Sequence, residues 1–270
     1  KRIELDENWY PKLIKKAQSC GVEFLSSPTY EKALNILDKL EVKAYKIASP
    51  QAYGNKSLLR KAARMKKPLI ISLGYSDYSD IQDILKVCEE EENDNLIFLH
   101  CISKYPAYPI EMKLNYINTL QQLTGFPVGF SDHSMGSTMS IAATTLGACV
   151  LEKHVTNDKT MEGPDHHFSM DFKEFKKYVK NIRDVEKSLK ASDRYNLLPE
   201  EIKFRENVEL KAISQKEIKK NQKLSIKNIN FLRASSKGIK INDIKNLSLY
   251  SARKNIKKNK LIQWDDLQIE

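Results

Sequence analysis

The sequence has little of what marks fibrous, disulfide-stapled or membrane proteins. Only nine of its 270 residues are glycine and nine are proline, which excludes collagen-like and low-complexity chains. The four cysteines are scattered without CxxC spacing, so we expect reduced structural thiols. The longest apolar runs, such as residues 68–71, are far shorter than the about 20 residues of a membrane span. With no apolar signal segment at residues 1–6, we expect a soluble, cytoplasmic protein with no membrane partner.

Positive charge is concentrated in the last quarter of the chain. The formal net charge is +10, and residues 207–270 contain 15 Lys and Arg against 6 Asp and Glu. A basic segment attracts phosphate-bearing substrates, acidic proteins and nucleic acids alike. Because no aromatic residues are interleaved with these basic residues in the manner of a nucleic-acid groove, we expect no nucleic-acid partner.

Short apolar segments alternate with amphipathic helical patterns over the first 190 residues. Helical periodicity covers residues 7–20, 55–65 and 77–92. The apolar segments are predicted to be buried strands, and they are residues 22–27, 44–49, 68–74, 96–103, 128–133 and 149–154. Alternation every ~20–30 residues predicts βαβ units and a parallel sheet, which makes the fold class α/β.

All six predicted strands end in polar residues. Because ligands bind at the carboxyl ends of strands in parallel α/β folds, polar ends on every strand favour a closed barrel with one shared centre. Six strands do not close an eight-stranded barrel. We therefore expect a TIM-type (β/α)8 barrel that lacks its first two βα units in this chain. A smaller open sheet, or two strands supplied by another chain, remain alternatives.

The end of the chain has a different pattern. Residues 187–206 are polar, and short β-like runs follow. The tetrapeptide Ile-Lys-Lys-Asn at 218–221 recurs at 256–259, which indicates a small β-rich domain with internal pseudo-symmetry. Chance similarity in a Lys/Asn/Ile-rich tail is the alternative. The predicted domains are a barrel at 1–190, a linker at 191–206 and the β-rich domain at 207–270.

Two histidines end consecutive predicted strands. His133 and His154 would therefore lie side by side at one rim, where neutral imidazoles can bind a borderline divalent metal. Asp132 and Glu152 lie close to them in sequence and are candidates for oxygen ligands or for partners that orient the histidines. A pair of hydrogen-bonded structural histidines is the alternative.

A lysine and several hydroxyls also lie at strand ends. Such a set, with backbone N–H groups near Gly74, is suited to a phosphate monoester or an enolpyruvyl phosphate. The residues are Lys46, Ser49, Ser72, Ser103 and Ser131. Asp165, in the turn at 163–167, either accepts hydrogen bonds from sugar hydroxyls or caps the turn.

Several segments resemble the sialic acid (N-acetylneuraminate) synthase family, in order and spacing. They are Tyr-Lys-Ile-Ala-Ser at 45–49, Tyr-Pro at 105–106, Phe-Ser-Asp-His-Ser-Met-Gly at 130–136, and Glu-Lys-His at 152–154 with Gly-Pro-Asp-His at 163–166. Residues 24–28 fit as well. The resemblance covers nearly the whole chain, and the tail, with Phe-Leu-Arg at 231–233, is similar to that family's antifreeze-like (SAF) domain.

The resemblance implies an enzyme that condenses phosphoenolpyruvate and water with N-acetylmannosamine or a related N-acylated aldose, releasing phosphate by C–O cleavage. It implies His133 and His154 as ligands of Mn²⁺, with Mg²⁺ or Co²⁺ as alternatives. It implies that Asp165 contacts the sugar. It also implies a homodimer in which the SAF domain of one subunit covers the barrel of its partner, so that Arg233 contacts the sugar bound there. The residues implied around phosphoenolpyruvate are Ser27, Lys46, Ser49, Ser72, Ser103, Tyr105 and Ser131.

Three departures from the family pattern bear on the chemistry. The family's first two strands, with an acidic and a basic residue, are missing. A Glu that often follows the Lys motif is Gln51 here, and Gln cannot exchange a proton. Water activation must therefore fall to another group, or Gln51 only positions water. The catalytic residues implied by the resemblance are His133, His154 and Lys46, together with Gln51 in that reduced role. The usual Arg-Pro of the tail is Arg233-Ala234.

Other functions remain open at this stage. Pseudaminic and legionaminic acid synthases share the same frame and differ in the acceptor sugar. The missing strands and the basic tail are also compatible with a noncatalytic carbohydrate- or anion-binding fragment. Another phosphoenolpyruvate-condensing or lyase-type barrel is the third alternative.

Overall fold

The computed structural model describes residues 5–190 and 196–269. The chain divides into two compact units, Lys1–Ala191 and Ser192–Glu270. The first unit has an α/β architecture, as the alternating pattern predicts, and the second is dominated by short antiparallel strands.

The first unit is built on a curled, five-stranded parallel sheet that forms a half-barrel, with strand order β1-β2-β3-β4-β5. Each strand pairs with the next along the chain, as expected for successive right-handed βαβ units. The strands are β1 (Tyr45–Ile47), β2 (Leu69–Ser72), β3 (Leu96–Cys101), β4 (Val128–Asp132) and β5 (Leu151–Lys153).

The prediction of a sixth strand at residues 22–27 is wrong, because residues 23–28 have no regular secondary structure. An apolar run forms a strand when a neighbour pairs its backbone and a second layer covers its side chains. Here Val22 is 58% and Leu25 is 39% exposed. This segment contacts β1 through a side chain, because the Ser27 hydroxyl donates to the Lys46 carbonyl oxygen at 3.0 Å.

Eight helices of the described residues accompany the sheet: α1 (Tyr10–Ser19), α2 (Glu31–Lys39), α3 (Ser49–Gly54), α4 (Lys56–Arg64), α5 (Tyr78–Glu90), α6 (Tyr116–Thr124), α7 (Thr138–Thr145) and α8 (Phe172–Lys190). The helices predicted at 7–20, 55–65 and 77–92 are confirmed as α1, α4 and α5. Asn55 caps α4 by accepting from the Leu58 N–H at 3.0 Å. Asp77 and Asp80 form a reciprocal capping box that begins α5.

The main core lies between the sheet and these helices. Tyr45, Phe98 and Phe130 on the strands are fully buried against helix residues such as Leu58 and Ile81. Burial of such large side chains is the main favourable term that holds the half-barrel together. It also fixes where the strand ends, and hence the polar side chains beyond them, can lie.

The second unit begins earlier than the predicted domain, and the predicted linker at 191–206 contains the start of a helix. Helix α9 (Pro199–Val208) begins with proline at its first position, where the missing N–H costs nothing. Glu201 accepts from the Leu198 N–H at 2.9 Å. Residues 191–195 of the predicted linker lie outside the described residues.

The predicted pseudo-symmetry of the tail is confirmed. Strand β6 (Leu210–Ser214) pairs antiparallel with β7 (Ile229–Arg233), and β8 (Tyr250–Ala252) pairs antiparallel with β9 (Leu267–Ile269). The two isoleucines of the repeat, Ile218 and Ile256, exchange backbone hydrogen bonds of 2.8 Å in both directions.

The two asparagines of the repeat are equivalent as well. Asn221 and Asn259 have φ angles of 64° and 60°, in the left-handed region that asparagine tolerates. Their N–H groups donate to Ala252 and Ser214 at 2.7 and 2.8 Å, respectively. The similarity of the two tetrapeptides therefore reflects two matching halves of one fold.

The sequence predicts neither a membrane-spanning helix nor a disulfide framework. Among the described residues, we find no helix with both the length and the apolar character needed to cross a membrane. All four cysteines are in the described ranges and are free thiols, with Cys88 and Cys101 buried and Cys20 and Cys149 exposed.

Candidate active site

The carboxyl ends of β1 and β5 meet across the half-barrel. The Nζ atom of Lys46 donates to Oγ of Ser72 at 2.8 Å and lies 3.3 Å from Oε2 of Glu152. The other carboxylate oxygen of Glu152 accepts a 2.6 Å hydrogen bond from the Ser131 hydroxyl. Four strand ends are thus joined by one charged network, and the Lys46 side chain is only 12% exposed.

A second cluster of hydroxyls surrounds Gly74, directly after β2. The Gly74 N–H donates to Oγ of Ser49 at 2.9 Å. A Cβ atom at Gly74 would lie 2.2 Å from Oγ of Ser103 and 2.9 Å from both Oγ of Ser49 and Sγ of Cys101. Only glycine lets these side chains approach the backbone so closely, and the backbone and the two hydroxyls together form a small polar cradle.

His133 and His154 lie beside each other at the same edge of the sheet. Their ring centroids are 5.3 Å apart. Nδ1 of His133 lies 2.7 Å from the carbonyl oxygen of Ile102, which requires Nδ1 to carry the proton. Burial lowers the pKa of His133. The ring is therefore neutral at pH 7, with the lone pair on Nε2, the form in which imidazole binds metals.

A metal ion held by these two rings would occupy an open site rather than a closed one. Within the described ranges, no group of three or more His, Cys, Asp and Glu side chains is arranged to hold a metal ion. A divalent ion bound by two imidazoles keeps coordination positions for water or substrate oxygens, which suits catalysis. Nδ1 of His154 lies 3.7 Å from Oδ2 of Asp165, so this carboxylate is beside the pair.

Aromatic rings form one wall of the site. The ring of Tyr105 lies 4.2 Å from that of His133, and Phe168 lies 5.1 Å from His154, between centroids. Burial raises the pKa of Tyr105 to about 12. Its hydroxyl is therefore protonated near pH 7 and available as a hydrogen-bond donor.

Most of the predicted site residues come together, and a few do not. The described contacts join a group made of Lys46, Ser49, Ser72, Ser103, Tyr105, Ser131, His133, His154 and Asp165. Ser27 is exposed and donates to the β1 backbone. Gln51 lies in the first turn of α3, two residues after Ser49. Arg233 is exposed at the end of β7 in the second unit.

Sequence reasoning underestimated two residues of this site. The sequence predicts Glu152 as an oxygen ligand or as a partner that orients His154, whereas in the structure it bridges Lys46 and Ser131. Cys101 was read as a small hydrophobe, but its sulfur contacts Oγ of Ser49 at 3.8 Å and Nδ1 of His133 at 3.9 Å. Strand alternation in the sequence could have identified Glu152, because it places Glu152 on the same face of the strand as His154.

Comparisons with known proteins identify a family and several relatives. The model of the NeuB family matches residues 1–194. An uncharacterised protein of Methanocaldococcus jannaschii is 41% identical over 271 residues, which cover 99% of this chain and 78% of that protein. The N,N'-diacetyllegionaminic acid synthase of Campylobacter jejuni is 33% identical over 265 residues, 97% of this chain and 78% of that enzyme.

A solved structure is similar as well. The N-acetylneuraminic acid (sialic acid) synthetase of Leptospira borgpetersenii, in complex with citrate, has a TM-score of 0.68 and 32% sequence identity. The match covers 75% of this chain and 71% of that chain. Since the family model spans more than half of the chain and these relatives exceed 30% identity, the chain belongs to the NeuB family.

Proposed function

We propose that this protein is a nonulosonic (sialic) acid synthase, a transferase that condenses phosphoenolpyruvate with an N-acylated aldose such as N-acetylmannosamine. The observation that carries the proposal is the meeting of Lys46 and the strand-end hydroxyls with the His133–His154 pair in one polar centre. The names of the Campylobacter and Leptospira relatives support the same reaction class. Because phosphoenolpyruvate is a metabolite of the cytoplasm, we place the enzyme there.

Phosphoenolpyruvate would bind at Lys46 and the cradle around Gly74. Its carboxylate and phosphate need a cation and several donors, and charge-assisted hydrogen bonds to such groups are the strong ones. Hydroxyls at the ends of β1 to β4, together with the Tyr105 hydroxyl, would donate to these oxygens. The hydroxyls are those of Ser49, Ser72, Ser103 and Ser131, and Ser27 stays a weaker candidate because it is exposed.

The bond changes follow from this placement. The methylene carbon of bound phosphoenolpyruvate attacks the aldehyde carbon of the open-chain sugar, and positive charge develops at the enol carbon. Water adds at that carbon and gives up a proton, and the tetrahedral intermediate loses phosphate by C–O cleavage. The positive charge of Lys46 holds the anionic substrate throughout, and the ordered site keeps the two reacting carbons together.

His133 and His154 would hold a divalent ion, which we propose is Mn²⁺, with Mg²⁺ or Co²⁺ as alternatives. When bound, such an ion acts as a Lewis acid toward the aldehyde oxygen. Glu152 is the carboxylate nearest to Lys46 and Ser131, so we assign it the proton transfers to and from water. Gln51, which cannot exchange a proton, would only position that water.

The acceptor sugar would lie against Asp165, whose carboxylate is 54% exposed beside His154 and can accept hydrogen bonds from hydroxyls. We further propose a homodimer in which the second unit, as an antifreeze-like domain, covers the barrel of the partner. Arg233 would then contact the N-acyl group of the sugar in the partner's site.

Subunit mixing tests the Arg233 assignment. Arg233→Ala and His133→Ala enzymes should each be inactive alone. After mixing and re-equilibration, about a quarter of wild-type activity should return, because half of the dimers are mixed and one of their two sites is intact. No recovery from a dimer that exchanges subunits would contradict an arginine acting across the interface.

The reaction itself is tested with phosphoenolpyruvate, MnCl2 and a panel of N-acylated aldoses, with phosphate release as the readout. In ¹⁸O-labelled water, the released phosphate should carry no label, because C–O cleavage leaves the bridging oxygen on phosphorus. Labelled phosphate would indicate P–O cleavage and a different enzyme class. Tight binding of substrate without phosphate release from any aldose would instead support a noncatalytic binding protein.

A further inference from the structure

Directly behind the two histidines lies a buried ion pair that the proposed chemistry does not use. Asp132 and Lys153 are paired residues on β4 and β5, and Nζ of Lys153 lies 3.0 Å from Oδ2 of Asp132. Their side chains are 0% and 3% exposed. Each residue immediately precedes one of the two imidazoles in the sequence.

The pair faces away from the substrate side of the sheet. Side chains alternate along a strand, so Ser131 and Glu152, which contact each other inside the half-barrel, point opposite to Asp132 and Lys153. Asp132 instead accepts from the hydroxyl of Ser140 on α7 at 2.6 Å. Neither charge can touch a substrate bound at the strand ends.

The hydrogen bonds of the pair form a closed network. Oδ1 of Asp132 accepts from the N–H and the hydroxyl of Ser134 at 2.8 and 2.6 Å. The ammonium group of Lys153 also donates to the carbonyl oxygen of Ser134. The network therefore ties the chain on both sides of His133 to the residue before His154.

Stability alone does not account for this arrangement. The cost of taking two charges out of water offsets most of their attraction, and apolar residues of similar volume often serve as well. Unlike an apolar pair, an ion pair fixes one pairing register between β4 and β5. A slip of β4 against β5 by one residue would shift one imidazole by about 3.3 Å.

We propose that the Asp132–Lys153 pair, with Ser134 and Ser140, is a positioning unit that sets the separation and orientation of the His133 and His154 rings. This inference rests on the proposed function, because it takes the two rings as the metal ligands. Asp132 and Lys153 act only through the backbone of the residues that follow them. They are positioning residues and not catalytic ones.

The experiment compares three variants of the full chain. Asp132→Asn leaves a buried lysine without its charged partner and is expected to lower the unfolding temperature strongly. Asp132→Asn combined with Lys153→Met removes both charges and should restore most of that stability. Leu58→Ala, in the core on α4 and away from the strand ends, is the control for destabilisation alone.

Two readouts do not depend on turnover. Mn²⁺ affinity is measured by the electron paramagnetic resonance signal of free Mn²⁺, and ligand geometry by the visible spectrum of the Co²⁺-substituted protein. We expect the double variant to bind Mn²⁺ roughly tenfold or more weakly, with an altered Co²⁺ spectrum, even though its stability has recovered. Leu58→Ala should keep the wild-type affinity and spectrum.

The outcomes separate the two hypotheses. A double variant that recovers both stability and wild-type metal binding would overturn the positioning role and leave the proposed function intact. The double variant could also stay as unstable as Asp132→Asn. If its metal affinity is then lowered no more than that of equally destabilised core variants, the positioning role is overturned. Wild-type protein that binds none of Mn²⁺, Mg²⁺ and Co²⁺ would instead contradict the metal site and the positioning role that rests on it, while the synthase reaction is tested separately by phosphate release.

Discussion

Lys46 and Glu152 belong to opposite edge strands of the sheet, yet Nζ of one lies 3.3 Å from Oε2 of the other. In a flat five-stranded sheet these strands would be about 19 Å apart. The ion pair is therefore direct evidence of how strongly the sheet curls. It also places a carboxylate against the cation that we assign to phosphoenolpyruvate, which makes Glu152 the most informative residue to change.

Glu152→Gln keeps the size of the side chain and removes its charge and its proton transfer. We expect kcat to fall by about 10²–10⁴-fold, the usual range for loss of a general acid or base. The KM for phosphoenolpyruvate should not rise, because the Glu152 carboxylate no longer competes with the anionic substrate for Lys46. Steady-state kinetics measure both. Glu111→Gln, in a short 3-10 helix after β3 and paired with Lys104, is the matched control. An unchanged kcat in Glu152→Gln would exclude the proton-transfer role.

Gly74→Ala tests the polar cradle. The added methyl group would lie 2.2 Å from Oγ of Ser103, so it would displace this hydroxyl from the position in which we propose it binds substrate. We expect a loss in kcat/KM for phosphoenolpyruvate on the order of 10²-fold, since displacements near 1 Å have effects of this size. The control is Gly54→Ala, whose methyl group meets nothing within 4 Å. Equal activities of the two variants would show that substrate does not use the cradle.

His133→Ala and His154→Ala test the metal site. Each should abolish metal-dependent turnover while circular dichroism shows a retained fold, because either change removes half of the protein ligands. Wild-type enzyme treated with a chelator should lose activity and regain it when Mn²⁺ is added back. Full activity in either histidine variant, or after thorough chelation, would refute the role of the pair.

Glu91 provides a test of stability against pH, far from the site. Hydrogen bonds from Arg64, the larger contribution, and from Arg60 lower the pKa of Glu91 to about 2. Because the folded-state pKa lies below the ordinary value of 4.5, the carboxylate stabilises the fold fully above pH 4.5. This contribution is lost as the pH falls from there toward 2.

Thermal unfolding at pH 7 and pH 3 is the measurement. Glu91→Gln should lower the unfolding temperature at pH 7, and its difference from wild type should shrink at pH 3. Glu92→Gln is the control, because the neighbouring Glu92 is 89% exposed and lies 3.6 Å from Lys66. A difference that is equal at both pH values would mean that the charge of Glu91 is not what stabilises the fold.

Some features could be read from the chain because they depend on local order. His133 and His154 follow consecutive strands, and consecutive strands usually lie next to each other in a sheet, so their proximity was predictable. The repeat at 218–221 and 256–259 was predictable for a similar reason, since matching sequences adopt matching backbone conformations.

The strand predicted at residues 22–27 failed because burial decided the outcome. Residues 22–27 are as apolar as the true strands, but they remain largely exposed and form no strand. Residues 199–206 are polar and were read as linker, although a proline followed by two glutamates is also a helix start. The pattern at 22–27 is compatible with two structures, and burial selects one. Helix α9 has no buried residues, so its local start signals rather than distant contacts account for it.

The order of residues alone determined the α/β class, the parallel strands and which polar side chains follow each strand, because hydrophobic periodicity and chain connectivity act between near neighbours. The tertiary structure alone decided that Lys46 meets Glu152, that Gly74 opens a cradle against Ser103, and that Asp132 and Lys153 lie buried behind the histidines. These contacts depend on how far the sheet curls, and curl is a property of the whole packed core rather than of any one segment.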